Sequence, residues 1–279
     1  MQRALGVAQS ILNGVLGDHL ERTGNGLALD MELIGANDLP KGSKIVVLVY
    51  GLMCTEDVWT MSDGSDYGTL LARDFGYVPL KVRYNSGRPV AENGKELARL
   101  LDELVTKSDV AEIALVGFSM GGLLVRSACH FGRANAQPWV DRVKRAFYLG
   151  TPHLGSPWER AGRVLTRVLR AVPDPYTRLA ADLGDVRSRG IKDLGDPCHP
   201  YPLLPSIRHH LVAGFVDERL ARAFGDALVP LASGTDGACD HPRALPPANV
   251  KILPRVSHLE LARHEEVYAH IRAWCEEAS

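Results

Sequence analysis

Residues 115–122 read Leu115-Val116-Gly117-Phe118-Ser119-Met120-Gly121-Gly122. An apolar run precedes this segment, and a helix-like pattern follows it without a break. A strand that ends in G-x-S-x-G and opens at once into a helix is typical of a nucleophile elbow, in which a sharp turn holds a serine in a strained conformation with its oxygen exposed. Glycine suits positions 117 and 121 because strand and helix approach too closely there for a β-carbon. The segment therefore predicts Ser119 as a catalytic nucleophile.

The rest of the chain alternates short apolar runs with amphipathic segments. This alternation predicts an α/β protein with a mostly parallel central sheet and helices on both of its faces. Residues 31–34 are a candidate antiparallel edge strand, and Pro79 indicates an irregular or near-edge position for its own strand. The predicted strands are 44–50, 77–84, 112–118, 143–149, 209–215 and 249–253, and the predicted helices are 92–107, 120–131 and 259–274.

We expect one domain over residues 1–279, carrying an N-terminal helical extension over 1–26. The first twenty residues have an amphipathic spacing that favours a helix packed on the domain, with a membrane-surface role as the weaker alternative. That spacing is formed by Leu5, Ala8, Leu12, Val15 and Leu16.

Residues 153–206 interrupt the alternation. They are rich in Pro, Gly and Arg and contain no convincing strand, so we expect an inserted cap over one end of the sheet. A helical arginine stripe within it favours a solvated face, with an anion-binding cap as the alternative. The stripe consists of Arg160, Arg163, Arg167 and Arg170.

The composition excludes several classes of protein. Apolar residues make up 46% of the chain, charged residues make up 23%, and the net charge is −1. This balance gives no reason to expect nucleic acid as a partner. No apolar run is long enough to cross a bilayer, so no stable membrane insertion is expected. Five cysteines, an odd number without clustering, and no signal-type apolar core predict reduced thiols in a cytoplasmic protein.

One group of cysteine and histidine residues suggests a metal site. Cys198, His199, Cys239 and His241 lie in loop-like sequence and could supply four zinc ligands. Their spacing matches no standard finger or ribbon, so ordinary loop residues are favoured and no metal is expected. A disulfide between Cys198 and Cys239 is a similarly weak alternative.

A serine hydroxyl needs a base to take its proton, and the base needs an orienting acid. After a nucleophile elbow the expected chain order is Ser, then Asp or Glu, then His. His258 follows the strand 249–253 by a short loop and is the predicted base. Asp226 precedes the apolar residues 227–229 and is the predicted acid, with Asp217 as runner-up.

Two backbone N–H groups are candidates for an oxyanion hole. Met120 directly follows the nucleophile at a helix N-terminus, where unpaired amides favour negative charge. Leu52 follows Gly51 in the loop after the strand 44–50. Met53 in the same loop and His153, which follows the strand 143–149, are candidate substrate-binding residues.

With these residues in view, the chain resembles the α/β-hydrolase superfamily and its lipase/esterase-like branch from about residue 44 onward. The segments that carry this resemblance are residues 117–122, 225–230 and 257–258. Residues 149–156 resemble the T-P-H-x-G-S segment of bacterial lipases and of the GPI inositol-deacylase-like group, which 83–88 also resemble.

The resemblance implies an α/β-hydrolase fold with Ser119 as nucleophile, Asp226 as acid and His258 as base. It implies Leu52 and Met120 as oxyanion donors. These enzymes often carry His-Gly where this chain has Tyr50-Gly51, which leaves the local hydrogen bonding open.

The sequence thus predicts a serine hydrolase that cleaves a small-molecule or lipid carboxylic ester through an acyl-enzyme, without a cofactor. An acyltransferase would use the same intermediate, and a cofactor-free haloperoxidase would use the same fold. A ligand-binding protein without catalysis is disfavoured, because nucleophile, acid and base occur in the required order. Acyl-chain length, alcohol moiety and oligomeric state stay open.

Overall fold

The computed structural model describes residues 2–153, 188–194, 201–216, 229 and 249–277. The strands in these residues are β1 Glu32–Ile34, β2 Ser43–Val49, β3 Tyr77–Arg83, β4 Val110–Phe118, β5 Val143–Leu149, β6 Arg208–Phe215 and β7 Val250–Pro254. The helices are α1 Gln2–Arg22, α2 Tyr67–Phe75, α3 Val90–Lys107, α4 Met120–Ala134, α5 Trp139–Arg142, α6 Arg189–Asp193 and α7 Glu265–Glu276.

The described strands form one sheet in the order β1-β3-β2-β4-β5-β6-β7. β1 pairs antiparallel with β3, and every other pairing is parallel. This confirms the predicted mostly parallel sheet. Pro79, which has no N–H to donate, lies in the part of β3 that β1 does not reach, since β1 pairs only with Lys81–Arg83.

The sheet is held between two groups of helices. α3, α4 and α5 pack on one another, while α2 packs on α7. The central strands β2 and β4 are almost wholly buried, which explains their continuous apolar sequences. The amphipathic face of α3 buries its leucines against this core, while the opposite face carries its charged residues.

The C-terminal helix begins later than its apolar spacing predicts. α7 starts at Glu265, and a short 3-10 turn, Glu260–Ala262, precedes it. The phenolic oxygen of Tyr67 accepts from the His264 N–H at 2.9 Å and donates to the Leu261 carbonyl at 2.9 Å. Because these backbone groups are bound elsewhere, the helix does not continue through them.

Two neighbouring histidines on β6 are buried. The Nδ1 atom of His209 lies 3.0 Å from the Tyr148 hydroxyl, and its Nε2 lies 2.9 Å from the Leu204 carbonyl oxygen. The ring of His210 stacks on those of Phe147 and Trp274, and its nitrogens have no hydrogen-bond partner in the described part of the chain. Burial lowers the pKa of His209 to about 4 and the pKa of His210 to about 3.

These shifts predict that acid destabilises the fold. The folded state keeps both rings neutral, whereas the unfolded chain protonates them below about pH 6.5. The free energy of unfolding is therefore expected to fall as the pH drops from 6.5 toward 3. His210→Phe preserves the stacking and should remove roughly 1–2 kcal/mol of the loss between pH 7.5 and 5, measured by urea denaturation. An unchanged pH dependence in that variant would contradict the assignment.

Candidate active site

Ser119 is the single residue between the end of β4 and the start of α4. Its backbone has φ 54° and ψ −125°, a region that costs a residue with a β-carbon about 1–3 kcal/mol. The Ser119 N–H donates to the Leu149 carbonyl at 2.8 Å, and the Gly122 N–H donates to the Ser119 carbonyl at 3.0 Å. The surrounding hydrogen bonds thus hold the serine in a conformation that it would not adopt alone.

The glycines around the serine are required by close backbone approaches. A β-carbon on Gly117 would lie 2.5 Å from the Gly122 Cα, and one on Gly121 would lie 2.1 Å from the Val49 carbonyl oxygen. These contacts match the reason given for glycine at 117 and 121. The sequence offered no such reason for Gly122, where a β-carbon would lie 1.9 Å from the Thr151 Oγ1.

His258 lies four residues after the end of β7. Its Nε2 is 2.8 Å from the Ser119 Oγ, and its side chain is buried against the ring of Phe118. A β-carbon on Gly150 would lie 3.0 Å from the His258 Nδ1, so the imidazole fits closely against the end of β5. The structure therefore brings these two predicted residues together from positions 139 residues apart.

Side-chain contacts order the segment that carries His258. The Glu260 carboxylate accepts hydrogen bonds from the Ser257 hydroxyl at 2.5 Å and from the Ser257 N–H at 2.7 Å. These bonds hold the pKa of Glu260 below its usual range. Tyr67 donates to the carbonyl of Leu261, three residues after His258. The imidazole is thus fixed by contacts on its own loop as well as by its ring neighbours.

The loop after β2 approaches the serine from the other side. A β-carbon on Gly51 would lie 2.8 Å from the Ser119 Cβ, so only glycine allows this approach. Met53 has φ 59°, and its N–H donates to the Ser86 hydroxyl at 3.1 Å. Leu52 lies between these two fixed residues. Met120 is the first residue of α4, where an N–H has no partner within its helix.

Tyr50, at the position where the resemblance leads us to expect histidine, pairs with Tyr84. The Tyr50 hydroxyl accepts from the Tyr84 N–H at 2.9 Å and donates to the Tyr84 carbonyl at 3.0 Å. The Tyr84 hydroxyl donates to the Tyr50 carbonyl at 2.8 Å, and burial raises the pKa of both phenols. These three hydrogen bonds therefore hold the loop after β2 against the loop after β3. Sequence reasoning missed Tyr84 and Ser86, although both lie in the 83–88 segment that carries part of the resemblance.

The two candidate substrate-binding side chains are buried in the protein. Met53 is 6% exposed and packs against α1. His153 is 2% exposed, and its Nδ1 lies 2.7 Å from the Nη1 of Arg126, whose Nε donates to the Tyr201 carbonyl. Substrate contact by either side chain stays a prediction.

Several predicted features lie outside the described residues. These are Asp226, the runner-up Asp217, most of the predicted cap with its arginine stripe, and the set Cys198, His199, Cys239 and His241. Within the described ranges, no group of three or more His, Cys, Asp or Glu side chains is placed to hold a metal ion. No described helix has the length and apolar character needed to span a bilayer.

Comparisons with known proteins agree with this architecture. The chain is similar to the mature lipase BlEst2 of Bacillus licheniformis, with a TM-score of 0.56 and 20% identity over 88% of this chain and 97% of that one. This protein has the α/β-hydrolase fold. The chain is also similar to a thermophilic esterase from Thermogutta terrifontis, with a TM-score of 0.51 and 19% identity over 89% of this chain and 93% of that one. A third similarity is to an alpha/beta hydrolase fold protein from Chitinophaga pinensis, with a TM-score of 0.54 and 12% identity over 89% of this chain and 93% of that one.

Residues 40–172 of the chain match the family described as "Putative serine esterase (DUF676)". The matched region contains the loop after β2, the elbow and His153. No curated protein sequence matches the chain. The family match and the fold together support an esterase- or lipase-like hydrolase.

Proposed function

We propose that the protein is a serine hydrolase that cleaves carboxylic esters through an acyl-enzyme. The observation that carries the proposal is the 2.8 Å separation of the Ser119 Oγ and the His258 Nε2 at the end of the parallel strands. A nucleophile within hydrogen-bond reach of a base is the arrangement that covalent acyl transfer requires. The strained backbone of Ser119 adds support, because strain of this kind is concentrated at functional sites.

In this mechanism His258 removes the hydroxyl proton as the Ser119 Oγ forms a bond to the acyl carbon. The tetrahedral intermediate collapses with cleavage of the bond to the alcohol oxygen, which takes the proton from the Nε2 atom. Water then attacks the acyl carbon and gives a proton to His258. Collapse of the second intermediate releases the carboxylic acid and returns the proton to Ser119. Asp226 would accept a hydrogen bond from the Nδ1–H and stabilise the imidazolium.

The oxyanion of both intermediates would be bound by the N–H groups of Leu52 and Met120. The Met120 N–H begins α4, so the helix dipole favours negative charge at this point. The close approach of Gly51 to Ser119 supports the next residue, Leu52, as the second donor. Both donors belong to the backbone, so side-chain replacement at these positions would leave them in place.

Covalent labelling tests this function directly. A fluorophosphonate should modify the native protein at about one site per chain, and peptide mass spectrometry should locate the adduct on Ser119. The protein should also hydrolyse short p-nitrophenyl esters. Ser127→Ala removes a different hydroxyl from α4 and should keep both properties. An adduct on another residue, or equal labelling after heat denaturation, would contradict the proposal.

A chain-length series would separate an esterase from a lipase. Hydrolysis that increases sharply once a long-chain ester exceeds its solubility would indicate a lipase. A competing alcohol added to the same assay would reveal an acyltransferase through the formation of a new ester.

A further inference from the structure

The N-terminal helix α1 packs directly against the loop that carries the proposed oxyanion donor Leu52. Ile11 and Val15 of α1 form a buried apolar cluster with Met53 and with Ile191 of α6, and Leu52 packs against this cluster. The cluster is separate from the main core, which contains the buried residues of the sheet and of the helices that flank it. The helix therefore contacts the active-site loop itself.

Glycine at position 14 sets how closely the helix and the loop approach. A β-carbon on Gly14 would lie 2.2 Å from the Met53 Cγ and 3.3 Å from the Met53 Cα. The second distance involves backbone, so a rotation of the methionine side chain would not remove the whole conflict. Gly6, on the same helix, has no atom within 4 Å of the corresponding position.

Hydrogen bonds fix the position of α1 along its axis. The Ser188 hydroxyl donates to the Gly14 carbonyl at 2.6 Å, and the Ser188 N–H donates to the Val15 carbonyl at 3.0 Å. The Asn85 amide donates to the Gly17 carbonyl at 3.0 Å. Neither a slide nor a rotation of α1 is compatible with all three contacts.

The loop is held from its other side by Ser86, which accepts the Met53 N–H. The backbone of Met53 is thereby fixed between α1 and the loop after β3. Leu52 directly precedes it, and Gly51, one residue earlier, lies so near Ser119 that a β-carbon there would be 2.8 Å from the Ser119 Cβ. A displacement of Met53 by a few tenths of an ångström therefore moves the Leu52 N–H relative to the nucleophile.

We propose that α1 is a positioning element for the reaction, and that the contact between Gly14 and Met53 sets the place of the Leu52 N–H in the oxyanion hole. This inference rests on the proposed esterase function. Gly14 acts only through the loop, so it is a positioning residue. An oxyanion donor acts on the transition state more than on the bound ester, so its displacement lowers kcat and leaves KM nearly unchanged.

The test compares Gly14→Ala with Gly6→Ala, since both replace a helical glycine by the same residue. We expect Gly14→Ala to lower kcat for p-nitrophenyl butyrate about tenfold with KM within about twofold of wild type. Gly6→Ala should match wild type. Titration with a fluorophosphonate gives the fraction of competent sites, so kcat is counted per active molecule.

Two further measurements separate positioning from a general loss of structure. The inhibition constant of phenylboronic acid, whose serine adduct resembles the tetrahedral intermediate, should rise in step with the loss of kcat. In the Met53→Ala background the 2.2 Å conflict with the Met53 Cγ is absent, and only the 3.3 Å contacts with the Cα and Cβ remain. The effect of Gly14→Ala should therefore be smaller there than in the wild-type chain.

If Gly14→Ala does not fold, Ser188→Ala removes the hydroxyl on the Gly14 carbonyl without adding volume. It should lower kcat about threefold in folded protein. A kcat for Gly14→Ala equal to that of Gly6→Ala, a change confined to KM, or an unchanged kcat in folded Ser188→Ala would overturn the inference. A wild-type protein that neither hydrolyses esters nor reacts with the fluorophosphonate would instead overturn the proposed function.

Discussion

Replacing Ser119 by alanine is expected to lower kcat/KM for p-nitrophenyl butyrate by at least about 10⁴-fold while the fold persists. In the proposed mechanism the hydroxyl oxygen bonds to the acyl carbon, and alanine removes this oxygen from its place 2.8 Å from the His258 Nε2. Steady-state kinetics and circular dichroism of the purified variant check both parts. Activity within tenfold of wild type would exclude Ser119 as the nucleophile.

Glycine at the same position separates catalysis from backbone strain. Ser119→Gly should be as inactive as Ser119→Ala, because both lack the oxygen. Its free energy of unfolding should exceed that of the alanine variant by about 1 kcal/mol, since glycine adopts φ 54° without a steric conflict. Equal stability of the two variants would show that the turn is not strained. The difference in free energy of unfolding between the two variants therefore measures the cost of the strained backbone at position 119.

Replacing His258 by alanine is expected to lower kcat by about 10³- to 10⁴-fold, because the Ser119 hydroxyl then loses the acceptor that lies 2.8 Å away. Added imidazole should restore part of the rate by occupying the space that the ring leaves beside Phe118. The rate of fluorophosphonate labelling should fall with the turnover rate, because both reactions need the activated oxygen.

His270→Ala is the matched control for this change. His270 lies on the partly exposed side of α7, in the same C-terminal segment of the chain. Its removal should leave turnover close to wild type. A His258→Ala variant that retains wild-type turnover, or a loss of the same size in His270→Ala, would contradict the assignment of the base.

The sheet was largely predictable because its strands are buried on both faces. Such strands have contiguous apolar sequences, and the predicted runs coincide with β2 to β7 to within a few residues. α2 was not predicted, although Asp66 and Thr69 form a capping box at its start. The beginning of α7 was wrong because Tyr67 binds the backbone there, and periodicity carries no information about so distant a contact.

The site was predictable where the chemistry depends on chain order. Ser119 follows from the local motif, His258 follows from its place after the last strand, and the structure places them within hydrogen-bond distance. Their catalytic roles, and the role of Asp226, stay predictions. The pairing of Tyr50 with Tyr84 and the seating of α1 on Met53 could not be foreseen, since each depends on contacts between distant parts of the chain.

Ser119 follows the end of β4 and the His258 imidazole follows the end of β7, with β5 and β6 between these strands in the sheet. β7 is a terminal strand with a neighbour on one side only among the described strands. Fraying at that border would carry the imidazole away from the serine while the interior strands stayed paired. Activity would then be lost on mild heating when β7 separates from the sheet. This loss would occur at a lower temperature than the change in spectroscopic signals of the interior strands.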